Sequence, residues 1–123
     1  MKEFLTEEKS IYLQICDVIE TDILRGVLLE GERAPSTNEL AKFYTINPAT
    51  AAKGLGILAE RGILIKRRGL GMFVADGAAE LIRQRRKNEF KEKKIQELLS
   101  EARSLGITKD ELIAMLAEGE NDV

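Results

Sequence analysis

Three successive cations, Lys66, Arg67 and Arg68, interrupt the apolar stretch GILIKRRGLGMFV at residues 62–74. Ammonium and guanidinium groups bind anions, and the planar guanidinium fork matches phosphate oxygens. Ile63–Ile65 and Met72–Val74 have strand character, and Gly69 and Gly71 supply the bend between them. The expected result is a short hairpin whose tip carries the densest positive charge in the chain. A hairpin tip can project past a globule and press that charge against a polyanion.

The remaining composition narrows the chemistry. The 123 residues contain no histidine and one cysteine, Cys16. Ser-His-Asp and Cys-His catalysis are thereby excluded, and a zinc site is disfavoured. Carboxylates are plentiful but form no catalytic motif, and GLG is too short to read as a nucleotide loop. The sequence therefore points away from an enzyme, and no cofactor or metal is expected. Cys16 lies in an apolar helical pattern and reads as a small core residue. No stretch approaches the ~20 apolar residues of a membrane span. The acidic start MKEFLTEEKS has no apolar signal core, so a cytoplasmic location without a membrane partner is expected.

A net charge of −2 hides an uneven distribution. Residues 1–41 carry four cations and nine anions, residues 42–75 six cations and one anion, and residues 76–123 nine cations and eleven anions. Local charge governs an encounter with a polyanion, so the middle segment is the candidate contact region.

Several elements must position that segment. Residues 11–25 have helical apolar spacing, with Ser10 as a candidate cap and Gly26 as a stop. Residues 26–34 read as a loop with a short extended piece. Ser36 and Glu39 have capping-box spacing at the start of a short helix over 36–43. After the turn TIN, Asn47 caps a helix from Pro48 to Arg61, with proline at its first position and Gly62 beyond its end. Two helices joined by about three residues make a helix-turn-helix, and the hairpin that follows makes it winged. Gly54 and Gly56 disagree with this plan, since each costs a helix interior about 1 kcal/mol relative to alanine. Close approach of another helix at one of them is the favoured explanation.

A long helix is expected over 77–104, followed by a second helix opened by the capping pair Thr108 and Glu111. The basic run Arg83, Arg85, Arg86, Lys87, Lys91, Lys93 and Lys94 reads as a solvated face, with an approach to flanking phosphates as the alternative. The apolar residues Leu81, Ile95, Leu98, Leu99, Leu112, Ile113 and Leu116 cannot all be buried by one small helical pair, so they are expected to pack on a second copy as a homodimer. The last five residues, GENDV, are expected to fray. The fold class is mainly α with a small β wing. The expected division is a winged helix-turn-helix over 1–75 and a two-helix dimerisation region over 76–123.

A helix-turn-helix with a basic wing suits double-stranded DNA, with the second helix in the major groove and the wing on phosphates. Helix N-termini at Ser36 and Asn47 offer N–H groups to phosphates. The stretch Ile11–Val74 resembles the DNA-binding domain of the GntR family of bacterial transcription regulators. The resemblance rests on IYLQICDVIETDILRG, PSTNELA, INPATAAKGLGILAERG and GLGMFV. Asn-Pro at the turn, Lys53 and the short C-terminal region resemble its YtrA-like branch. The resemblance implies DNA contacts from Ser36, Thr37, Thr50 and Lys53 on the helices and from Arg67, Arg68 and Gly69 on the wing, beside Lys66. It also implies a dimeric regulator acting on a palindromic operator, most simply as a repressor. The chain departs from the family pattern at Asn38, Pro48, Ala52 and Leu70, where many members carry basic residues. A winged-helix protein-interaction module is the alternative. A small-molecule effector is compatible with the plan, but no residue set identifies one.

Overall fold

Helix α1, Ile11–Leu24, turns Ile15, Cys16, Val18, Ile19 and Ile23 inward, as its apolar spacing requires. The computed structural model describes residues 5–6 and 9–120 of the protein. Ser10 occupies the N-cap position, but its side chain makes no capping bond. Only its carbonyl serves the helix, accepting from the Leu13 and Gln14 N–H groups at 3.1 Å.

Helix α2, Thr37–Tyr44, opens with the complete capping box. The Glu39 N–H donates to Ser36 Oγ and the Ser36 N–H to Glu39 Oε1, both at 3.1 Å. Helix α3, Pro48–Glu60, begins where Asn47 Oδ1 accepts from the Ala49 N–H at 2.8 Å. Such caps are each worth about 1 kcal/mol. They start both helices at the residues that the sequence marks.

The ends of α1 and α3 share one device. Gly26 and Gly62 adopt φ of +74° and +77°. The next residue then donates back across the last turn, Val27 to the Asp22 carbonyl and Ile63 to the Leu58 carbonyl, both at 2.9 Å. Helix α2 ends the same way without glycine. Thr45 takes φ 54°, ψ 54°, and the Ile46 N–H reaches the Ala41 carbonyl at 3.0 Å. A left-handed non-glycine residue costs about 1–2 kcal/mol. The strain sits in the tight turn that aims α3.

Strands β1, Leu64–Arg67, and β2, Gly71–Val74, pair antiparallel with Leu64 opposite Val74 and Arg67 opposite Gly71. The extended piece anticipated within 26–34 adds a third edge. Arg33 bridges Phe73, the Ala34 N–H donates to the Met72 carbonyl at 2.8 Å, and the Val74 N–H donates to the Glu32 carbonyl at 2.9 Å. The core beneath this wing gathers Ile15, Ile19, Leu40, Leu58, Ile63 and Val74.

Packing divides the chain into Met1–Gln84 and Arg85–Val123. The reason is that Ala78 and Ile82, in the first turns of helix α4 (Ala78–Glu89), are fully buried in the first unit's core. The single helix expected over 77–104 is interrupted by a π-helical segment, Phe90–Ile95, before α5, Gln96–Ser104. No proline or glycine in this stretch announces the interruption.

In the second unit α5 and α6, Lys109–Glu120, meet at a turn closed by the Ile107 N–H on the Ala102 carbonyl at 2.9 Å. The Thr108–Glu111 capping box forms, with the Glu111 N–H on Thr108 Oγ1 at 3.2 Å. Ala102 and Leu112 are the buried residues of these two helices. Of the expected fraying tail, Gly119 and Glu120 are helical, and residues 121–123 lie outside the described residues.

Candidate nucleic-acid interface

The N-terminus of α2, the middle of α3 and the wing enclose one groove in the first unit. It has a volume of about 540 Å³ and is lined by α2 residues from Ser36 to Asn38, by Ala52 and Gly56 of α3, and by Lys66, Arg67 and Gly69 of the wing. Three of its lining residues are cations, Arg33, Lys66 and Arg67, and none is an acid. The geometry thus joins Ser36, Thr37, Lys66, Arg67 and Gly69 around one concave, positive surface.

The wing differs from the expected tip. Lys66 and Arg67 lie within β1, and only Arg68, Gly69 and Leu70 form the turn, closed by the Leu70 N–H on the Arg67 carbonyl at 2.9 Å. Because strand side chains alternate, the Lys66 and Arg67 side chains leave opposite faces of β1, although both residues line the groove at the hairpin's end. Lys66 shares its face with Leu64, opposite Met72. Arg67 stacks on the Phe73 ring with its guanidinium carbon 4.5 Å from the centroid. All three cations are exposed, and none forms an ion pair among the described residues.

Side chains on the helices are more committed. Ser36 Oγ and Asn47 Oδ1 are both occupied by capping bonds. Thr37 and Thr50 are half-buried. Lys53 is exposed as its helix position predicts, yet its Nζ lies 4.0 Å from the centre of the Tyr12 ring on α1. A cation–π contact is worth about 0.5–1 kcal/mol at an exposed site. It fixes where the ammonium starts.

Helix α3 can stand where it does because α1 crosses it closely. A Cβ at Gly54 would meet the Tyr12 carbonyl at 2.9 Å, and Cys16 Sγ lies 3.1 Å from the Gly54 carbonyl. Gly54 is therefore the close-approach glycine, and Cys16 is a buried core residue. Gly56 is different: a Cβ there would find nothing within 4 Å. It faces the groove. At the far end of α3, Glu20 of α1 is fully buried and takes the Arg61 guanidinium at 3.3 Å. Neither residue stood out in the sequence, because nothing in an amphipathic pattern marks a glutamate destined for the core.

Arg33 was also missed, since it lies in a stretch that reads as a loop with a short extended piece and carries no motif. It is exposed, passes over Gly71 with its Nε 3.1 Å from where a Cβ would stand, and pairs with Glu39 at 3.7 Å. The Glu39 carboxyl is held below the usual carboxylate range, first by the Ser36 backbone N–H, then by the Ser36 hydroxyl, with the Arg33 charge adding to both.

The basic run extends from α4 into the π-helical segment, where Lys91, Lys93 and Lys94 are exposed, and two of its α4 arginines are paired. Arg83 pairs with Glu80 at 2.6 Å and Arg85 with Glu89 at 3.3 Å. Among the apolar residues singled out for dimerisation, Leu81, Ile113 and Leu116 are more than half exposed, and Leu98 and Leu99 are 37% and 36% exposed. Ile95 is half-buried. Leu112, at 9%, is already packed. No helix among the described residues is long and apolar enough to cross a membrane.

Comparison with known proteins agrees with this geometry. Residues 11–74 match the family described as bacterial regulatory proteins, gntR family. The uncharacterized HTH-type transcriptional regulator YhcF of Bacillus subtilis is 36% identical over 109 residues, 85% of each chain. The HTH-type transcriptional repressor YtrA of the same organism is 28% identical over 92% of this chain and 86% of its own. Among solved structures, a GntR-family regulator from Bacteroides thetaiotaomicron superposes with a TM-score of 0.82 at 35% identity, covering 91% of this chain and 98% of the other. The DNA-binding domain of AraR, solved in complex with operator ORX1, gives a TM-score of 0.52 at 30% identity over 61% of this chain and 92% of its own. From the winged helix-turn-helix fold, the match over residues 11–74 and the near full-length likeness to YhcF and YtrA, the chain belongs to the gntR family of bacterial regulatory proteins, in its YtrA-like branch.

Proposed function

We propose that this protein is a homodimeric transcriptional repressor that binds a palindromic operator in double-stranded DNA. The observation that carries the reading is the acid-free groove between α2, α3 and the wing, rimmed by exposed cations. A duplex backbone following that groove would meet the N-terminal turn of α2 at Thr37 and Asn38, beside the capped Ser36, and the wing cations Lys66, Arg67 and Arg68, with Gly69 allowing close approach at the turn. Helix α3 would enter the major groove from its N-terminal end, bringing Asn47, Thr50 and Lys53 to base edges or flanking phosphates. AraR bound to its operator and YtrA as a repressor support this use of the fold.

The outward side of α3 in this reading is mostly small. Ala49 and Ala52 are exposed and Gly56 is open, so methyl groups rather than hydrogen-bonding groups lead into the groove. Alanine and threonine methyls complement the thymine 5-methyl group. Dimerisation would use the exposed apolar residues Leu81, Leu98, Leu99, Ile113 and Leu116 and the half-buried Ile95, with Leu112 supporting them from within. The functional division is a DNA-binding region over 1–75 and a dimerisation region over 76–123. The protein works in the cytoplasm and is not an enzyme.

Duplex binding measured as a function of salt tests the proposal. The logarithm of the association constant should fall with log salt by about 0.9 per neutralised phosphate. Replacing Arg67 and Arg68 together by alanine should lower the steepness by about 2 and weaken all sequences alike. Absence of any retained duplex at micromolar protein and low salt, for fragments selected from genomic DNA, would refute it.

A further inference from the structure

Arg33 is placed as an interface residue would be, although it lies outside both the helix-turn-helix and the hairpin. Its backbone bridges Phe73, which ties it to the wing. Its side chain runs over Gly71, where any Cβ would crowd Nε at 3.1 Å. Its guanidinium then reaches Glu39 at 3.7 Å, and Glu39 is itself anchored on the N-terminus of α2. The side chain stays 56% exposed, and the residue lines the same groove as Lys66 and Arg67.

A guanidinium held at one corner keeps most of its five N–H donors for another acceptor. Surface ion pairs of this kind contribute little to stability, about 0–1 kcal/mol. Stability therefore does not account for a cation at this groove, where two others already face it with no acid in the lining. An anion that follows the groove does. We infer that Arg33 is a phosphate-contacting residue of the duplex interface, with Glu39 as the positioning residue that aims it. The inference rests on the functional reading above.

The test is a double-mutant cycle read by duplex affinity and its salt dependence, using the full chain and a selected operator fragment. R33A should weaken binding about fivefold to tenfold near 0.1 M salt, for operator and non-operator duplex alike, and lower the salt slope by about 0.9. E39Q keeps a residue able to complete the capping box but removes the charge. If Arg33 touches phosphate and Glu39 aims it, R33A must still weaken binding and lower the salt slope in the E39Q background, by a smaller factor than in wild type. If it merely neutralises Glu39, the loss disappears in that background and the inference is overturned. R33K guards against a folding artefact: it should restore most of the salt slope, whereas a merely structural arginine would leave the slope of all variants equal to wild type. When wild type binds but R33A and R33K both match it in slope, this assignment alone falls. When wild type binds no duplex, the functional reading falls with it.

Discussion

Gly54 and Gly56 are two residues apart on one helix, and alanine at either carries the same propensity gain of about 1 kcal/mol. Their surroundings make the two substitutions opposite in effect. At Gly56 a methyl group meets nothing within 4 Å, so G56A should keep the full gain. At Gly54 the methyl carbon would lie 2.9 Å from the Tyr12 carbonyl oxygen and 3.2 Å from Ile15 Cγ2. Favourable carbon–oxygen contacts lie at about 3.3–3.6 Å, so α1 and α3 must part by about 0.5 Å. The oxygen belongs to a helical backbone and cannot swing away as a side-chain end could. Overpacking of this sort costs about 1–3 kcal/mol, which leaves G54A destabilised by about 0–2 kcal/mol after the propensity gain. The two variants should therefore differ by about 1–3 kcal/mol. At about 4–8 °C per kcal/mol for a unit of this size, thermal unfolding resolves the difference easily. The sole cysteine supplies a second readout. Cys16 is fully buried with Sγ on the Gly54 carbonyl, so G54A should speed labelling by a thiol reagent, while G56A should not. A G54A protein as stable as G56A, with Cys16 equally protected, would refute the close-approach account of this helix pair.

Other consequences are checked more briefly. Removing Arg61 deprives the buried Glu20 carboxylate of a charged partner, so R61M should cost about 1.5–3 kcal/mol in urea unfolding, although Arg61 lies off the proposed interface. The Glu39 carboxyl sits below its ordinary range in the folded chain. Its contribution is therefore fully present above the unfolded carboxylate value of about 4.3 and fades as pH falls through the lower folded value. Wild type should exceed E39Q in stability at neutral pH, and the gap should close on acidification, as thermal melts across that range would show. Replacing thymine by deoxyuridine in a selected half-site should weaken binding about threefold to fourfold at each base whose methyl meets Ala49, Ala52 or Thr50, judged from ~0.8 kcal/mol per buried carbon. Equal affinity for the fully substituted site would assign recognition to polar contacts or DNA shape instead.

Much of this protein was legible as one-dimensional pattern, because the physics involved is local. A capping box needs only Ser36 and Glu39 at the right spacing, and it forms as written. Asn47-Pro48 starts α3, and Gly26 and Gly62 end α1 and α3, because each residue's own backbone preference decides the matter. The absence of histidine, the basic middle segment and the order of motifs then sufficed for the family and the fold class. What the chain could not reveal depends on residues distant in sequence. Whether Gly54 or Gly56 faces a neighbour depends on where α1 crosses, and Glu20 finds Arg61 only once α1 and α3 are packed. Lys53 looked free until Tyr12 came beneath it. The wing cations looked equivalent until strand pairing extended β1 through Arg67 and sent neighbours to opposite faces. Arg33 carried no motif to mark it, because its partners, Phe73, Gly71 and Glu39, assemble only when the extended piece pairs with β2. Local steric and hydrogen-bonding preferences set the elements; long-range packing alone decided which charges share a surface.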